Sequence, residues 1–203
     1  IVWARRFAGY KRADLLLHDK ERFERLLNNP KYPVQIIWAG KPYPMDYSAI
    51  STFNTLVEES KHYKNMAVLT GYELALSKSL KQGSDLWLNN PRVPREASGT
   101  SGMTASMNGS VNLSTDDGWI PEFAKNGVNG FVVPQADYKN ASVYDQDNFD
   151  LENLYNVLEN EILPMYYDRP DEWRKIQHNA MEDVKRHFNS DRMADEYYKQ
   201  IYA

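Results

Sequence analysis

Two stretches of this sequence carry side chains whose types and spacing suit phosphate and sugar chemistry. The first is Arg5-Arg6-Phe7-Ala8-Gly9-Tyr10-Lys11-Arg12, four cations within eight residues. Arginine offers a planar fork to phosphate oxygens, and lysine offers a compact point charge. Gly9-Tyr10 between the cations reads as a shaped turn rather than part of a random basic run. Arg5 or Arg12 can simply face water, so Arg6 and Lys11 carry most weight as phosphate ligands. The competing reading is a solvated charge cluster that caps a helix. The second stretch is Glu96-Ala97-Ser98-Gly99-Thr100-Ser101-Gly102-Met103-Thr104, a turn of small residues running into a helix. Small residues let a ligand approach the backbone, and a helix start presents unpartnered N–H groups with a dipole that favours an anion. Glu96 is placed to accept from a sugar hydroxyl. The competing reading is an ordinary capped helix with an acid near its dipole.

The elements that must position these stretches follow from hydrophobic patterning. Short apolar runs at Ile1 to Ala4, Val34 to Gly40, Met66 to Thr70, Ser84 to Asn89, Val111 to Ser114 and Phe131 to Pro134 read as buried strands. Between them lie helical patterns: one from Lys11 or Arg12 to Leu27, one from Met45 to Lys61, and one from Tyr72 to Lys81 with Leu74, Leu76 and Leu80 inward. Ala136 to Asp147 reads as an irregular surface loop. Three helices close the chain at Asp150 to Leu163, Pro170 to His187 and Ser190 to Tyr202, punctuated by Pro164 and Pro170. Their aromatics, Tyr155, Tyr166, Tyr167, Trp173, Phe188, Tyr197 and Tyr198, read as packing residues. Strands alternating with helices predict an α/β fold, a Rossmann-like parallel sheet with helices on both faces and a helical tail. The division is residues 1–149 for the phosphate-binding domain and 150–203 for helices packed on it. In such sheets ligands bind beyond the carboxyl ends of the strands, where both candidate stretches fall.

Composition narrows the function. The net charge of −4 over 203 residues argues against a general nucleic-acid binder. There is no cysteine, so thiolate chemistry and disulfides are excluded. The histidines at 18, 62, 178 and 187 form no metal-ligand spacing, and no metal site is expected. No apolar run approaches the roughly 20 residues of a membrane span. The chain begins at Ile1, in what reads as mid-strand, and is expected to be a piece of a longer protein. Asp116, Asp117 and Glu122 read as turn residues at the cleft rim.

The Arg6 to Arg12 segment, with its Tyr-Lys-Arg run, resembles the phosphate-site motif of the α-glucan (glycogen, starch and maltodextrin) phosphorylases. Glu96 to Met103, followed by Asn108-Gly109, resembles the glucose and cofactor-phosphate segment of the same family, and Asp117-Gly118 fits too. The resemblance covers most of residues 1–134. It implies the C-terminal domain of a two-domain GT-B glycosyltransferase that moves α-1,4-linked glucose between glucan and phosphate, giving glucose 1-phosphate. It implies that Arg6 and Lys11 are catalytic phosphate ligands. It assigns the glucosyl unit to Glu96, Ser98 and Gly99, and the phosphate of pyridoxal phosphate to Thr100, Tyr72 and Arg5. Implied partners are α-glucan, phosphate or glucose 1-phosphate, the N-terminal domain of the same chain and a second copy in a homodimer. No nucleic acid or membrane is implied, and the setting is cytoplasmic.

Two positions depart from the family. Thr104 stands where the Schiff-base lysine follows Met103, and a threonine cannot form an imine. Glu73 follows Tyr72 where many members carry arginine, and an acid there opposes anion binding. Two further readings therefore stay open beside the phosphorylase: a nucleotide-sugar glucosyltransferase of the glycogen synthase type, and a catalytically silent glucan-binding relative.

Overall fold

A computed structural model describes residues 1–202. Six strands form one sheet: β1 (Val2–Ala4), β2 (Ile36–Ala39), β3 (Met66–Leu69), β4 (Leu86–Asn89), β5 (Val111–Thr115) and β6 (Phe131–Val133). Their order is β3-β2-β1-β4-β5-β6, and every neighbouring pair is parallel. The helices are α1 (Lys20–Leu27), α2 (Tyr47–Ser60), α3 (Leu74–Gly83), α4 (Thr100–Met107), α5 (Ile120–Phe123), α6 (Val143–Val157), α7 (Leu163–Asp168), α8 (Pro170–His187) and α9 (Ser190–Gln200).

The pleat of each strand sends alternate side chains to opposite faces, and here both faces are covered. Trp3, Ile36, Trp38, Leu86 and Leu88 pack on one face with Phe23 of α1, Leu56 of α2 and Leu154 of α6. Val2, Ala4, Ala39 and Trp87 pack on the other with Leu80 of α3 and Ala105 of α4. A third cluster, Trp119, Ile120, Phe123 and Val184, ties α5 to α8. This is the Rossmann-like sheet with helices on both faces and a helical tail that the patterning predicts.

Several local expectations are corrected. The first helix does not start at Lys11. Gly9–Lys11 and Leu15–His18 form 3-10 turns, separated after Arg12 takes a left-handed conformation at φ 49°. The helix proper begins after Asp19, whose side chain accepts from Arg22 N at 2.9 Å. The irregular loop expected to Asp147 ends earlier, because Ser142 caps α6 by accepting from Asp145 N at 3.1 Å. Apolar periodicity did not reveal this turn because two of its inward side chains, Gln146 and Asp150, are polar. Pro164 does not end its helix. A π turn at Leu158–Ile162 joins α6 to α7, and the wider spacing accommodates a proline that cannot donate to the carbonyl four residues back. Leu74 is 89% exposed rather than inward, and Tyr197 and Tyr198 of α9 are exposed rather than packed.

Candidate functional site

In the observed strand order the chain leaves β1 and β4 in opposite directions, which makes their carboxyl ends the switch point of the sheet, the place where ligands bind in such folds and the crevice referred to below. The loops that follow them, Arg5 to Arg12 and Asn90 to Gly99, are the two chemically charged stretches of the sequence. Lys11 Nζ lies 2.9 Å from Glu96 Oε2, with both side chains close to nine-tenths shielded. This ion pair joins residues 85 positions apart and brings the two stretches together. Arg92 N also donates to Tyr10 O at 2.7 Å, which fixes one loop to the other through the backbone.

Arg5 lies across the crevice floor. Only 7% of it is exposed, its Nη2 donates to Leu88 O at 3.1 Å, and its guanidinium stands 5.4 Å from the Trp3 ring. Its Nε is buried with no hydrogen-bond partner, and among the described residues no carboxylate pairs with it. Burial pushes the guanidinium down to about 10, opposed by the charge of Glu96 and the nearby tyrosines. It therefore stays cationic at neutral pH. A buried cation with an unmatched donor is costly unless an anion reaches it.

The start of α4 opens on the same loop. Gly99 precedes it at φ 96°, in the left-handed region, and no side chain caps the helix. The first N–H groups are therefore free for a ligand. The turn is held from behind. Asp117 Oδ2 accepts from Arg95 N at 3.0 Å and Glu96 N at 2.8 Å, and Trp119 N donates to Ser98 O at 2.9 Å. Gly118, at φ 64°, lies so close that a Cβ there would meet Ser98 O at 2.2 Å. Below the helix, Asn89 Nδ2 donates to Asn112 Oδ1 at 2.7 Å, and Asn112 Nδ2 donates to Ser106 Oγ at 2.7 Å and Gly102 O at 3.1 Å.

The remaining candidates fall around this crevice. Arg6 is exposed and, among the described residues, has no intramolecular partner. Ser98 and Thr100 are exposed, and Gly99 is half-buried. Tyr72 Oη donates to Ser77 Oγ at 3.1 Å and lies 3.4 Å from Ala4 O, beside the end of β1. Arg5 and Arg12 do not face water: Arg12 is 3% exposed and is bound to Asp147 and Asp150 of α6. Sequence reasoning left Asp117 as a turn residue and missed Asn89 and Asn112 as supports. Their signal was visible, since an amide inside a buried strand must find a partner. Asp147 gave no signal, being 135 residues from Arg12.

Thr104 Oγ1 donates to Thr100 O at 3.2 Å and Ser101 O at 3.1 Å, so its hydroxyl is spent within its own helix. Lys11, the lysine of the two crevice loops, is committed to Glu96. Position 104 thus offers no amine for an imine.

A parallel doubly wound sheet with this crevice is the architecture of one half of a GT-B glycosyltransferase. The chain is 46% identical over 203 residues to an uncharacterised protein of Methanocaldococcus jannaschii, spanning all of this chain and 37% of that one. It is 41% identical over 207 residues to the maltodextrin phosphorylase of Thermococcus litoralis, covering 24% of it, and 39% identical over 211 residues to the glycogen phosphorylase of Aquifex aeolicus, covering 30% of it. Over its whole length the chain is therefore homologous to the C-terminal portion of glycogen and maltodextrin phosphorylases, and it spans little more than a third of its relatives' length at most. The crystal structure of Anabaena HepE in complex with UDP and glucose superposes with a TM-score of 0.70 at 14% identity, over 99% of this chain and 48% of that one, which is a likeness of fold. No family model matches the sequence. Among the described residues no helix is long and apolar enough to cross a membrane, and no cluster of metal-ligating side chains occurs.

Proposed function

We infer that this chain forms the phosphate- and glucosyl-binding half of a glycosyltransferase active site, in a protein that moves α-1,4-linked glucose between a glucan and inorganic phosphate. The observation that carries the reading is Arg5, a buried cation across the switch point with an unmatched Nε. In this reading Arg6 and Lys11 bind the phosphate of the reacting group, and Arg5, Tyr72 and the amide of Thr100 hold a second phosphate. Glu96, Ser98 and Gly99 accept and donate to the hydroxyls of the glucosyl unit. The cations act by holding phosphate charge near the breaking bond, an electrostatic effect that grows as water is excluded. Where a second phosphate is bound, it would supply proton transfer to the reacting one. The missing imine anchor leaves that group held by ionic contacts alone.

Thr104 favours a second reading, in which the donor is a nucleotide sugar and its diphosphate fills both phosphate positions. The HepE complex with UDP and glucose is a precedent for that ligand class on this fold. Either reading needs a partner domain for the acceptor. Tyr43, Met45, Tyr47 and Leu74 are exposed at the starts of the segments that follow β2 and β3, on the crevice side, and suit such a contact. The deciding experiment is calorimetric titration of the chain with glucose 1-phosphate and with UDP-glucose. Binding of the first alone supports the phosphorylase reading, and binding of the second alone supports the nucleotide-sugar reading. Binding of neither, with Lys11→Ala indistinguishable from wild type, removes both.

A further inference from the structure

Apart from the 3-10 turn at Gly9–Lys11, the two loops carry no helix or strand to hold their ligand groups in place. Arg12 ends the first loop in a left-handed conformation, and residues 90–95 of the second lie outside any helix or strand. Besides the contacts they make with each other, both loops are gripped from outside by α6. Arg12 Nη1 lies 2.9 Å from Asp147 Oδ1, and its Nη2 lies 2.8 Å from Asp150 Oδ2. Arg92 donates from Nε to Asp147 Oδ1 at 3.0 Å and from Nη2 to Asp147 Oδ2 at 2.6 Å. The two loops are also cross-tied: Arg12 Nε donates to Asn90 O at 2.9 Å, and Asn90 Nδ2 donates to Arg12 O at 2.8 Å. Gln146, beside Asp147 on α6, donates to Val93 O at 3.0 Å.

The two arginines and two aspartates balance in charge, and each arginine comes from a different loop. Of the two aspartates, only Asp147 bonds both arginines. None of the hydrogen bonds of Asp147 or Asp150 goes to Arg5, Arg6, Lys11 or Glu96. We propose that Asp147 and Asp150 of α6 are positioning residues for the crevice: through Arg12 and Arg92 they lock the two loops in register, so that Lys11, Glu96 and the start of α4 meet one ligand. A burial of four charges is not needed for stability, since apolar replacements of such clusters are often neutral. Its value lies in the geometry it imposes, because small misplacements of binding groups are costly. This inference rests on the phosphate-site reading for its purpose, but not for its test.

Residue-resolved hydrogen exchange on the chain and on Asp147→Asn decides it, with titration by inorganic pyrophosphate alongside. The amides of Lys11, Arg12, Arg92 and Glu96 are all hydrogen-bonded, so each reports on its loop. In Asp147→Asn these four are expected to exchange about tenfold faster while β1 and β4 keep their protection, and pyrophosphate is expected to bind about tenfold more weakly. Asp147→Glu, which keeps the charge, is expected to recover both. Unchanged exchange in the loops, or acceleration spread evenly over the sheet, overturns the proposal and leaves α6 as a plain structural staple. Should Asp147→Asn fail to fold, Asp150→Asn, which spares Arg92, gives the same readout in the first loop. If wild type does not bind pyrophosphate, the phosphate-site reading falls, and the exchange pattern still decides the brace.

Discussion

Lys11 cannot serve Glu96 and an incoming phosphate equally well. Its Nζ is 2.9 Å from the carboxylate, in a setting close to nine-tenths shielded from water, so a phosphate must compete for it. Replacing Glu96 by glutamine removes the competitor and one repulsive charge while keeping hydrogen bonding to a sugar. Glu96→Gln is therefore expected to bind pyrophosphate more tightly, by at least the roughly 0.5–1 kcal/mol of an exposed ion pair. Calorimetry that shows weaker binding would mean the carboxylate orders the lysine rather than opposing the ligand. Arg6→Ala and Lys11→Ala are each expected to lose about 1.5–3 kcal/mol of phosphate affinity, the range of a charge-assisted hydrogen bond. An unchanged isotherm for both would remove the first loop from the site.

At the scale of elements, α4 depends on how closely it lies over β4 and β5. A Cβ at Gly102 would meet Asn112 Oδ1 at 2.7 Å, Asn89 Nδ2 at 2.9 Å and the Trp119 ring at 3.0 Å. Gly102→Ala must lift the helix or break the amide network, at a cost of about 1–3 kcal/mol despite the better helix propensity of alanine. A thermal melt in which Gly102→Ala matches or exceeds wild type would contradict that packing. The tie from α6 has its own pH signature. Burial pushes the Asp147 carboxyl up, but hydrogen bonds and charge from Arg92 and Arg12 outweigh it and hold the group below its ordinary 3.8. A carboxyl held low in the folded state contributes stability above its unfolded pKa and loses it as pH falls through the folded value. Burial raises the Asp150 carboxyl instead, so its contribution runs the other way, present below its ordinary 3.8 and declining as pH rises through its higher folded value. Asp147→Asn is expected to flatten the loss of stability below pH 3.8, read as urea midpoints against pH. Parallel curves for variant and wild type would show that Asp147 is not held low.

For the whole molecule, Tyr43, Met45, Tyr47 and Leu74 stand exposed after β2 and β3, and α9 presents Met193, Tyr197 and Tyr198, followed by exposed Ile201, with no buried residue of its own. The chain spans 24% to 37% of its relatives' length, and in the proposed reading the cleft needs a second domain. Residues 1–203 alone are expected to show no phosphorolysis of maltodextrin, even where they bind phosphate. Release of glucose 1-phosphate from maltodextrin by this chain would show that one half suffices.

The sequence alone was enough for the alternation of strands and helices, for the sheet class, and for both charged stretches, because each is encoded in neighbouring residues. It also exposed Thr104, since losing an amine is a matter of residue type. Which cations turn inward was not legible: Arg5 and Arg12 look alike in sequence, and only the folded chain places Leu88 O beside one and Asp147 and Asp150 beside the other. The Lys11–Glu96 pair and the grip of α6 on both loops belong to the tertiary structure for the same reason. Burial and long-range pairing depend on which loops the sheet order brings to one crevice, and that order is settled by packing over the whole chain rather than by any local pattern.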